Sequence, residues 1–199
     1  MKKCFLPIGV PEVPLDTDPQ QSKWIDIYTF LYNERILFLF QILDDNFINQ
    51  LLASLLFFNY DNSKKAIYFY INSLGGSLIS GLALYDMINY INSEIVTLCI
   101  GITSSISSLI LATGTKSKRL ILPHSRILLQ QPETRYYGQV SDVLIETEEI
   151  LRLRQLLCRL YIQKTSQTMS KIAKDMDYDC FLSSREAKKY GIVDHILNC

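Results

Sequence analysis

The sequence predicts an α/β domain in which two consecutive strand–turn–helix units form part of a parallel sheet. In residues 65–91, a β-branched and aromatic strand precedes a glycine-containing turn and an amphipathic helix. The same order recurs in residues 95–112. Consecutive units of this kind are joined by right-handed crossovers, which make their strands parallel.

Length and composition indicate one globular domain. The chain has 199 residues, of which 48% are hydrophobic and 20% are charged, so the sequence is not that of a disordered protein. Lys and Arg number 20, Asp and Glu also number 20, and the formal net charge is therefore zero. Because nucleic-acid-binding domains usually carry a basic excess, we expect no nucleic acid among the partners.

The cysteines argue against a metal or disulfide framework. There are five, they are scattered along the chain, and none forms a C-x-x-C pair. We therefore expect no metal site and a reducing compartment.

One uncharged segment, residues 95–115, is long enough to cross a membrane. Ten of its residues are Ser, Thr or Gly, which makes its apolar content poor. We predict a buried strand, a turn and a buried helix here, and no membrane span.

The N-terminal elements follow from proline content and apolar spacing. Residues 1–20 hold four of the six prolines and are predicted to form an extended arm, followed by a single domain over residues 21–199. A helical start and a buried strand at 36–40 come next. A helix is predicted over 44–58, with Asp44 or Asp45 as its N-cap.

The C-terminal elements are set by breakers and caps. A strand region at 119–131 is broken by a proline, and one long helix is predicted over 139–167. Ser183 and Glu186 have capping-box spacing, which predicts a short helix that ends at a glycine. A last strand is predicted at 192–195.

Two turns lie where parallel sheets place their functional sites, at the carboxyl ends of strands. One contains Gly75 and Gly76, whose backbone can approach a ligand closely, although most such pairs are only turns. The other places Ser105 at the start of a helix, beside N–H groups that could stabilise an oxyanion next to a nucleophile. Serine is also a favoured N-cap, so capping is the alternative interpretation.

Three segments resemble the proteolytic subunits of the Clp protease family: IYFYINSLGGSLISGLALYDMI, IVTLCIGITSSISSLILATGTKSKRLILPHSRILLQQP and DYDCFLSSREAKKYGIVDHIL. The opening LPIGVPEVP, with WIDIYTFLYNERILFL after it, is similar to the form encoded in plastid genomes. The resemblance covers residues 6–197. It implies a ClpP/crotonase-like spiral of strand–turn–helix units with a long protruding handle helix.

The resemblance also implies a catalytic triad, of which two members are present. The family's nucleophile falls on Ser105 in TSSIS, and its acid falls on Asp179 in DYDCFLSS. The two oxyanion-hole donors fall on Gly76 and Ile106. The family's histidine falls on Gln130 in LLQQP, so the triad is degenerate.

Gln130 can hydrogen-bond to Ser105 but has no group that could act as a general base. The only histidines are His124 and His195, and neither is expected to reach the serine. Losing a triad member typically costs about four to six powers of ten in turnover, so we expect little or no peptidase activity.

Three further positions depart from the family pattern. Leu74 stands in place of a proline, Ser107 in place of a glycine, and Tyr178 in place of an arginine that couples ring contacts to the active site in the family.

The resemblance implies partners rather than cofactors. Tyr68 and Tyr70 match aromatic positions of the docking pocket for the Hsp100/Clp ATPase, although both could instead be core residues. The helix at 139–167 resembles the handle through which two rings of proteolytic subunits stack. The expected substrates are unfolded polypeptides, ATP is used by the partner ATPase, this subunit needs no cofactor, and the expected location is the plastid (chloroplast) stroma.

Four alternatives remain open from the sequence. The chain could be an active serine endopeptidase that takes its base from a neighbouring subunit or from a water held by Gln130. It could be a non-catalytic structural and ATPase-docking ring subunit. A crotonase-like acyl-CoA enzyme shares the spiral fold, but the sequence offers no acid/base pair for that chemistry. The last alternative is a nonfunctional relic, which well-formed helix signals disfavour.

Overall fold

The computed structural model describes residues 9–14 and 24–197 of the chain. Near the N-terminus, strand β1 (Glu12–Pro14) pairs antiparallel with strand β2 (Trp24–Asp26). Most of the predicted arm over residues 1–20 lies outside the described residues. Its boundary with the predicted domain 21–199 stays a prediction.

Seven further strands form the main sheet of the described chain. These strands are β3 (Ile36–Leu39), β4 (Ile67–Ser73), β5 (Ile95–Ser104), β6 (Arg119–Ile121), β7 (Arg126–Leu129), β8 (Cys180–Ser183) and β9 (His195–Ile196). The helices are α1 (Ile27–Asn33), α2 (Asp45–Asp61), α3 (Leu78–Tyr90), α4 (Ile106–Thr113), α5 (Val140–Thr165), α6 (Met169–Asp177) and α7 (Ser184–Tyr190).

The sheet confirms the predicted α/β fold. Its main path runs β3-β4-β5-β6-β9, and every pair along that path is parallel. Strand β5 has 10 residues, so its first half pairs with β6 and its last residues pair with β7. Strand β8 runs antiparallel to β7 and was not predicted. Its addition brings a late part of the chain to the carboxyl end of β5.

Helix α2 begins where its capping residue predicts. The Asp44 side chain accepts a hydrogen bond from the Phe47 backbone N–H, which satisfies one of the donors left free at a helix start. The helix continues to Asp61, three residues beyond the predicted end at 58. Its buried face packs on the core through residues at helical spacing: Ile48, Leu51, Leu55 and Phe58.

The uncharged segment 95–115 is the centre of the core. It forms β5 and then α4, and all 8 residues of α4 are buried. A Cβ at Gly81 of α3 would lie 2.3 Å from Cγ1 of Ile106, so the glycine lets α3 and α4 pack closely. In residues 9–14 and 24–197, no helix is long and apolar enough to span a membrane.

The long helix α5 packs on its own domain through only one half. Its buried residues lie in the C-terminal half: Leu157, Cys158, Tyr161 and Thr165. The N-terminal half exposes large apolar side chains: Val140, Leu144, Ile145 and Leu151. This division leaves the N-terminal half with an apolar surface that its own domain does not cover. Its C-terminal limit was placed slightly too late, because Ser166 adopts the left-handed conformation and ends it.

Of the C-terminal elements, the capped helix was predicted correctly and the last strand was misplaced. The capping box is present, since the Ser183 hydroxyl accepts from the Glu186 N–H and the Glu186 carboxylate accepts from the Ser183 N–H. The last strand is His195–Ile196, not residues 192–195. Ile192 and Val193 have the apolar character of a strand but are buried in the turn that precedes it.

Candidate active site

The backbone of Ser105 is unlike that of the helix-capping residues elsewhere in the protein. Its φ is 52° and its ψ is −131°, whereas the usual N-cap is extended. Its side chain makes no capping hydrogen bond, and the hydroxyl has no hydrogen-bond partner within the described residues. The capping interpretation is therefore wrong for Ser105, because its left-handed backbone turns the side chain away from the helix start.

Neighbouring residues hold Ser105 in this conformation. A positive φ costs a non-glycine residue roughly 1–2 kcal/mol, and such strain persists only where the surroundings impose it. The Ser105 N–H donates to the Leu128 carbonyl at 3.1 Å. The Ser105 carbonyl accepts from the Ser108 N–H at 3.0 Å and from the Ser108 hydroxyl at 2.7 Å. These hydrogen bonds fix the backbone of the turn and leave the Ser105 hydroxyl without a partner in the described chain.

The paired glycines pack directly against this turn. A Cβ at Gly75, where φ is +95°, would lie 3.0 Å from Cβ of Ser105 and 3.6 Å from its Oγ. A Cβ at Gly76 would lie 2.3 Å from the Leu43 carbonyl oxygen. The Leu43 backbone forms hydrogen bonds on both sides of Gly76. Its N–H donates to the Gly75 carbonyl at 2.9 Å, and its carbonyl accepts from the Ser77 N–H at 2.8 Å.

Two backbone N–H groups near the serine have no acceptor among the residues that the structure describes. Within the described residues, neither the Gly76 N–H nor the Ile106 N–H donates a backbone hydrogen bond outside regular elements. Ile106 is the first residue of α4, where N–H groups lack an intrahelical acceptor. These are the two predicted oxyanion-hole donors, and their role stays a prediction.

Strand register brings the three predicted triad positions to one place. Ser104 pairs with Leu128 across β5 and β7, so Ser105 and Gln130 both follow the ends of neighbouring strands. Leu129 pairs with Cys180 across β7 and β8, which places Asp179 opposite Gln130 one step beyond the ladder. The arrangement has the topology of a Ser–base–acid triad, although among described residues these three side chains do not bond to one another.

Gln130 bonds to a different serine from the one we expected. The Ser104 hydroxyl donates to Oε1 of Gln130 at 2.7 Å, and Ser105 receives nothing from it. Ser104 is aligned with Leu128, and Gln130 lies two residues further along the same face of β7, within diagonal reach. The positive φ of Ser105 takes its side chain away from that face of the sheet. Sequence reasoning missed Ser104, whose only signal was its place in the serine cluster.

Asp179 is exposed, and its side chain has no hydrogen-bond partner among described residues. Its φ is 47°, a left-handed value that aspartate tolerates better than most residues do. In the predicted triad this carboxylate would orient an imidazole, which Gln130 does not supply.

Neither histidine can replace the missing base within this subunit. His195 pairs with Leu120, which pairs with Leu98 of β5. Leu98 precedes Ser104 by six residues, which separates His195 from the site by roughly 20 Å along the strand direction. His124 lies in the exposed turn before β7, four residues before Leu128, at the far end of that strand.

A family model described as Clp protease matches residues 19–199 of the chain. An ATP-dependent Clp protease proteolytic subunit of Bigelowiella natans is 61% identical over 196 residues, covering 96% of this chain and 99% of the relative. The chain belongs to the Clp protease family. A relative in Chlorella vulgaris with the same description is 50% identical over 192 residues, covering 96% of each protein. ATP-dependent Clp protease proteolytic subunit 2 of Prochlorococcus marinus (strain NATL2A) is 47% identical over 194 residues, covering 96% and 97%.

Membership of the Clp protease family confirms the resemblance drawn from the sequence. It also removes the acyl-CoA alternative, which rested on fold alone. Because the relatives include proteins of algae, an origin of the chain in a plastid is supported.

The three departures from the Clp pattern have different structural consequences. Leu74 is 60% exposed and Tyr178 is 80% exposed, so neither distorts the core. Ser107 is fully buried in α4, and its hydroxyl is one of the buried polar groups without a partner in the described chain. An unsatisfied buried hydroxyl costs about 1–3 kcal/mol. Of the three departures, only the serine at position 107 carries a structural cost.

The two tyrosines predicted to form a docking pocket lie on the outer face of β4. Ile67 and Phe69 are fully buried, while the alternating Tyr68 is 42% exposed. Tyr70 is half-buried, with its ring 5.7 Å from that of Phe38. The core alternative is therefore wrong for Tyr68. ATPase docking stays a prediction for both tyrosines.

The structure also bears on metal binding. Within residues 9–14 and 24–197, no group of three or more His, Cys, Asp or Glu side chains is arranged to hold a metal ion.

Proposed function

We propose that the chain is a proteolytic-core subunit of a Clp-type ATP-dependent protease and that its own peptidase activity is low or absent. One observation carries the second part. The carboxamide of Gln130, the residue at the position predicted for the base, accepts a hydrogen bond from Ser104, while the Ser105 hydroxyl has no hydrogen-bond partner in the described part of the chain.

The site contains the parts for binding a peptide carbonyl but not the part that moves the proton. The free N–H groups of Gly76 and Ile106 would stabilise the negative charge that develops on the carbonyl oxygen. Attack by Ser105 requires its proton to be accepted and later returned to the leaving amine. A carboxamide does neither near neutral pH. The step that stalls is therefore acylation of the serine.

The assembly role follows from exposed apolar surface. The N-terminal half of α5 would stack against a second proteolytic subunit, and Tyr68 with Tyr70 would receive the Hsp100/Clp ATPase. That ATPase would use the ATP and deliver unfolded polypeptides, so this subunit would need no cofactor. Plastid stroma is the location we propose.

Two rivals within the family make different demands. An active endopeptidase needs a base from a neighbouring subunit or a water held by Gln130, and the Gln130–Ser104 hydrogen bond leaves that amide's oxygen already engaged. A purely structural subunit needs neither Ser105 nor its strained turn. Because backbone strain of this kind is retained at functional sites, it favours a chain whose ancestor was catalytic over one that was always structural.

The test of low activity compares the assembled protein with its Ser105→Ala variant on a short fluorogenic peptide. We expect the two rates to agree within about threefold, since removing the serine from a triad that lacks its base removes little more. A rate for the unmodified protein far above that of the variant would establish the active-endopeptidase alternative instead.

Assembly through α5 is tested by Leu144→Glu. This side chain is 61% exposed, so the charge should leave the fold intact and reduce the assembled mass in sedimentation velocity. Gln155→Glu is the matched control, because it adds the same charge at an exposed position of the same helix. A charge at Leu157, in the buried half of the helix, would be unsuitable for this test. That side chain is only 4% exposed, so its replacement would affect folding rather than assembly alone. An unchanged mass for Leu144→Glu would contradict the stacking role.

A further inference from the structure

We infer that Tyr161 is a positioning residue that holds and polarises the peptide unit joining Ser105 to Ile106. The N–H of that peptide unit is one of the two oxyanion donors named above, so the inference rests on the proposed function. Tyr161 belongs to α5, far along the chain from the turn it contacts.

Two hydroxyl groups converge on the Ser105 carbonyl oxygen. The Tyr161 hydroxyl lies 3.2 Å from that oxygen and 2.6 Å from the Ser108 Oγ. The Ser108 hydroxyl lies 2.7 Å from the same oxygen. In either arrangement of the two protons, one hydroxyl donates to the carbonyl and the other donates to its neighbour. With the Ser108 N–H, the carbonyl is surrounded by donors.

Such donors act on both ends of a peptide unit. Resonance couples the carbonyl oxygen to the amide nitrogen, so a hydrogen bond accepted by the oxygen makes the N–H more positive and a stronger donor. The donors on Ser105 O therefore strengthen the Ile106 N–H at the place where negative charge would develop. They also fix the plane of the peptide and with it the direction of that N–H.

Burial preserves this arrangement. Tyr161 is 3% exposed and Ser108 is fully buried, so water does not compete for the hydroxyl protons. Burial also raises the pKa of the Tyr161 phenol well above its usual value, which keeps the group protonated and able to donate.

The hydroxyl of Tyr161 is not needed for packing. A phenylalanine would fill the same space among the core residues around α4 and α5, and both hydrogen-bond partners of the phenol belong to the turn that holds Ser105. Tyr190 provides a contrast, because its buried hydroxyl bonds to Asp175 and has no link to that turn.

The sequence permits a direct measurement of this peptide unit. A serine followed by an isoleucine occurs only at Ser105-Ile106 in the whole chain. Labelling serine with ¹³C at the carbonyl and isoleucine with ¹⁵N therefore gives one directly bonded pair and one correlation signal in NMR of the assembled protein. We expect Tyr161→Phe to move both resonances upfield, with Ser108→Ala moving them in the same direction. Tyr190→Phe, the matched control, should leave them in place.

A kinetic arm uses the Gln130→His protein, in which turnover can be followed. Adding Tyr161→Phe should lower kcat about 5- to 10-fold with KM unchanged, less than the 10²–10³-fold cost of removing an oxyanion donor outright. Tyr190→Phe should leave kcat unchanged in the same background.

The outcomes separate this inference from the proposed function. Resonances that do not move in Tyr161→Phe would overturn it, as would a shift accompanied by an unchanged kcat in an active Gln130→His protein. If Gln130→His proves inactive, the account of the missing base fails, while the NMR measurement on the otherwise unmodified chain still decides whether Tyr161 polarises the peptide.

Discussion

Replacing Gln130 with histidine is expected to raise peptide hydrolysis by the assembled protein about 10²- to 10⁴-fold, the usual contribution of a general base. The imidazole would stand at the end of β7, next to Ser105 at the end of β5 and opposite Asp179 before β8. It would take the serine proton, and the carboxylate would orient the ring.

Recovery should remain incomplete. The side chain of Gln130 now bonds to Ser104, so a histidine must abandon that partner and turn toward Ser105. Asp179 is exposed and water competes for its carboxylate, which weakens its hold on the ring. The unpartnered Ser107 hydroxyl in α4 is the same in every variant compared, so it does not affect the ratio of their rates.

The controls isolate the proton-transfer step. Gln130→Asn loses the reach to Ser104 without gaining a base and should stay at the rate of the unmodified protein. The double variant Gln130→His with Ser105→Ala should fall back to that rate. If Gln130→His is inactive in an intact assembly, the missing histidine is not what limits catalysis.

The second large effect concerns stability: Asp194→Ala should lower the free energy of unfolding by about 3–5 kcal/mol, because it leaves a buried charge without a partner. Arg119 is 6% exposed and binds both carboxylate oxygens of Asp194, at 2.8 and 2.6 Å. Its remaining nitrogen donates to the carbonyls of Lys164 at 3.0 Å and Ala112 at 3.3 Å. One guanidinium thus joins the ends of α4 and α5 to the last strand.

Chemical denaturation measures this effect, and a surface ion pair supplies the control. Arg154 and Asp177 are also 2.6 Å apart, but their side chains are 30% and 43% exposed. Asp177→Ala should cost only about 0.2–1 kcal/mol. Equal losses from the two substitutions would show that burial of the Arg119 pair adds nothing.

The Arg119–Asp194 pair also predicts how the stability of the fold depends on pH. Burial by itself raises the pKa of Asp194, but hydrogen bonds and charge from Arg119 outweigh it and hold the pKa below its ordinary value of 3.8. A carboxylate with a depressed pKa in the folded state contributes its full stability above the ordinary value and loses it as the pH falls through the lowered one. Asp194→Ala should therefore show a weaker loss of stability below about pH 4 than the unmodified protein.

Local signals predicted the elements well, and long-range contacts decided the site. Asp44 and the Ser183–Glu186 box act through neighbours three residues away, so their spacing in the sequence was sufficient. Ser105 was located by resemblance, but its left-handed backbone depends on a carbonyl of β7 and on a hydroxyl of α5.

Strand β8 was missed for a related reason. It has only 4 residues, and its pairing with β7 arises between segments more than 50 positions apart. The bond between Gln130 and Ser104 is likewise set by register between β5 and β7, which no pattern within either segment expresses.

The contact between Gly76 and Leu43 affects how the history of such a chain can be inferred. Any side chain at Gly76 would collide with the Leu43 backbone, so a mutation there is eliminated by misfolding whether or not the protein cuts peptides. Persistence of this glycine among descendants therefore measures selection for a folded subunit. The informative position is Ser105, whose hydroxyl makes no capping hydrogen bond. Substitution of Ser105 in chains that keep Gly76 would show that catalysis was lost while the fold was retained.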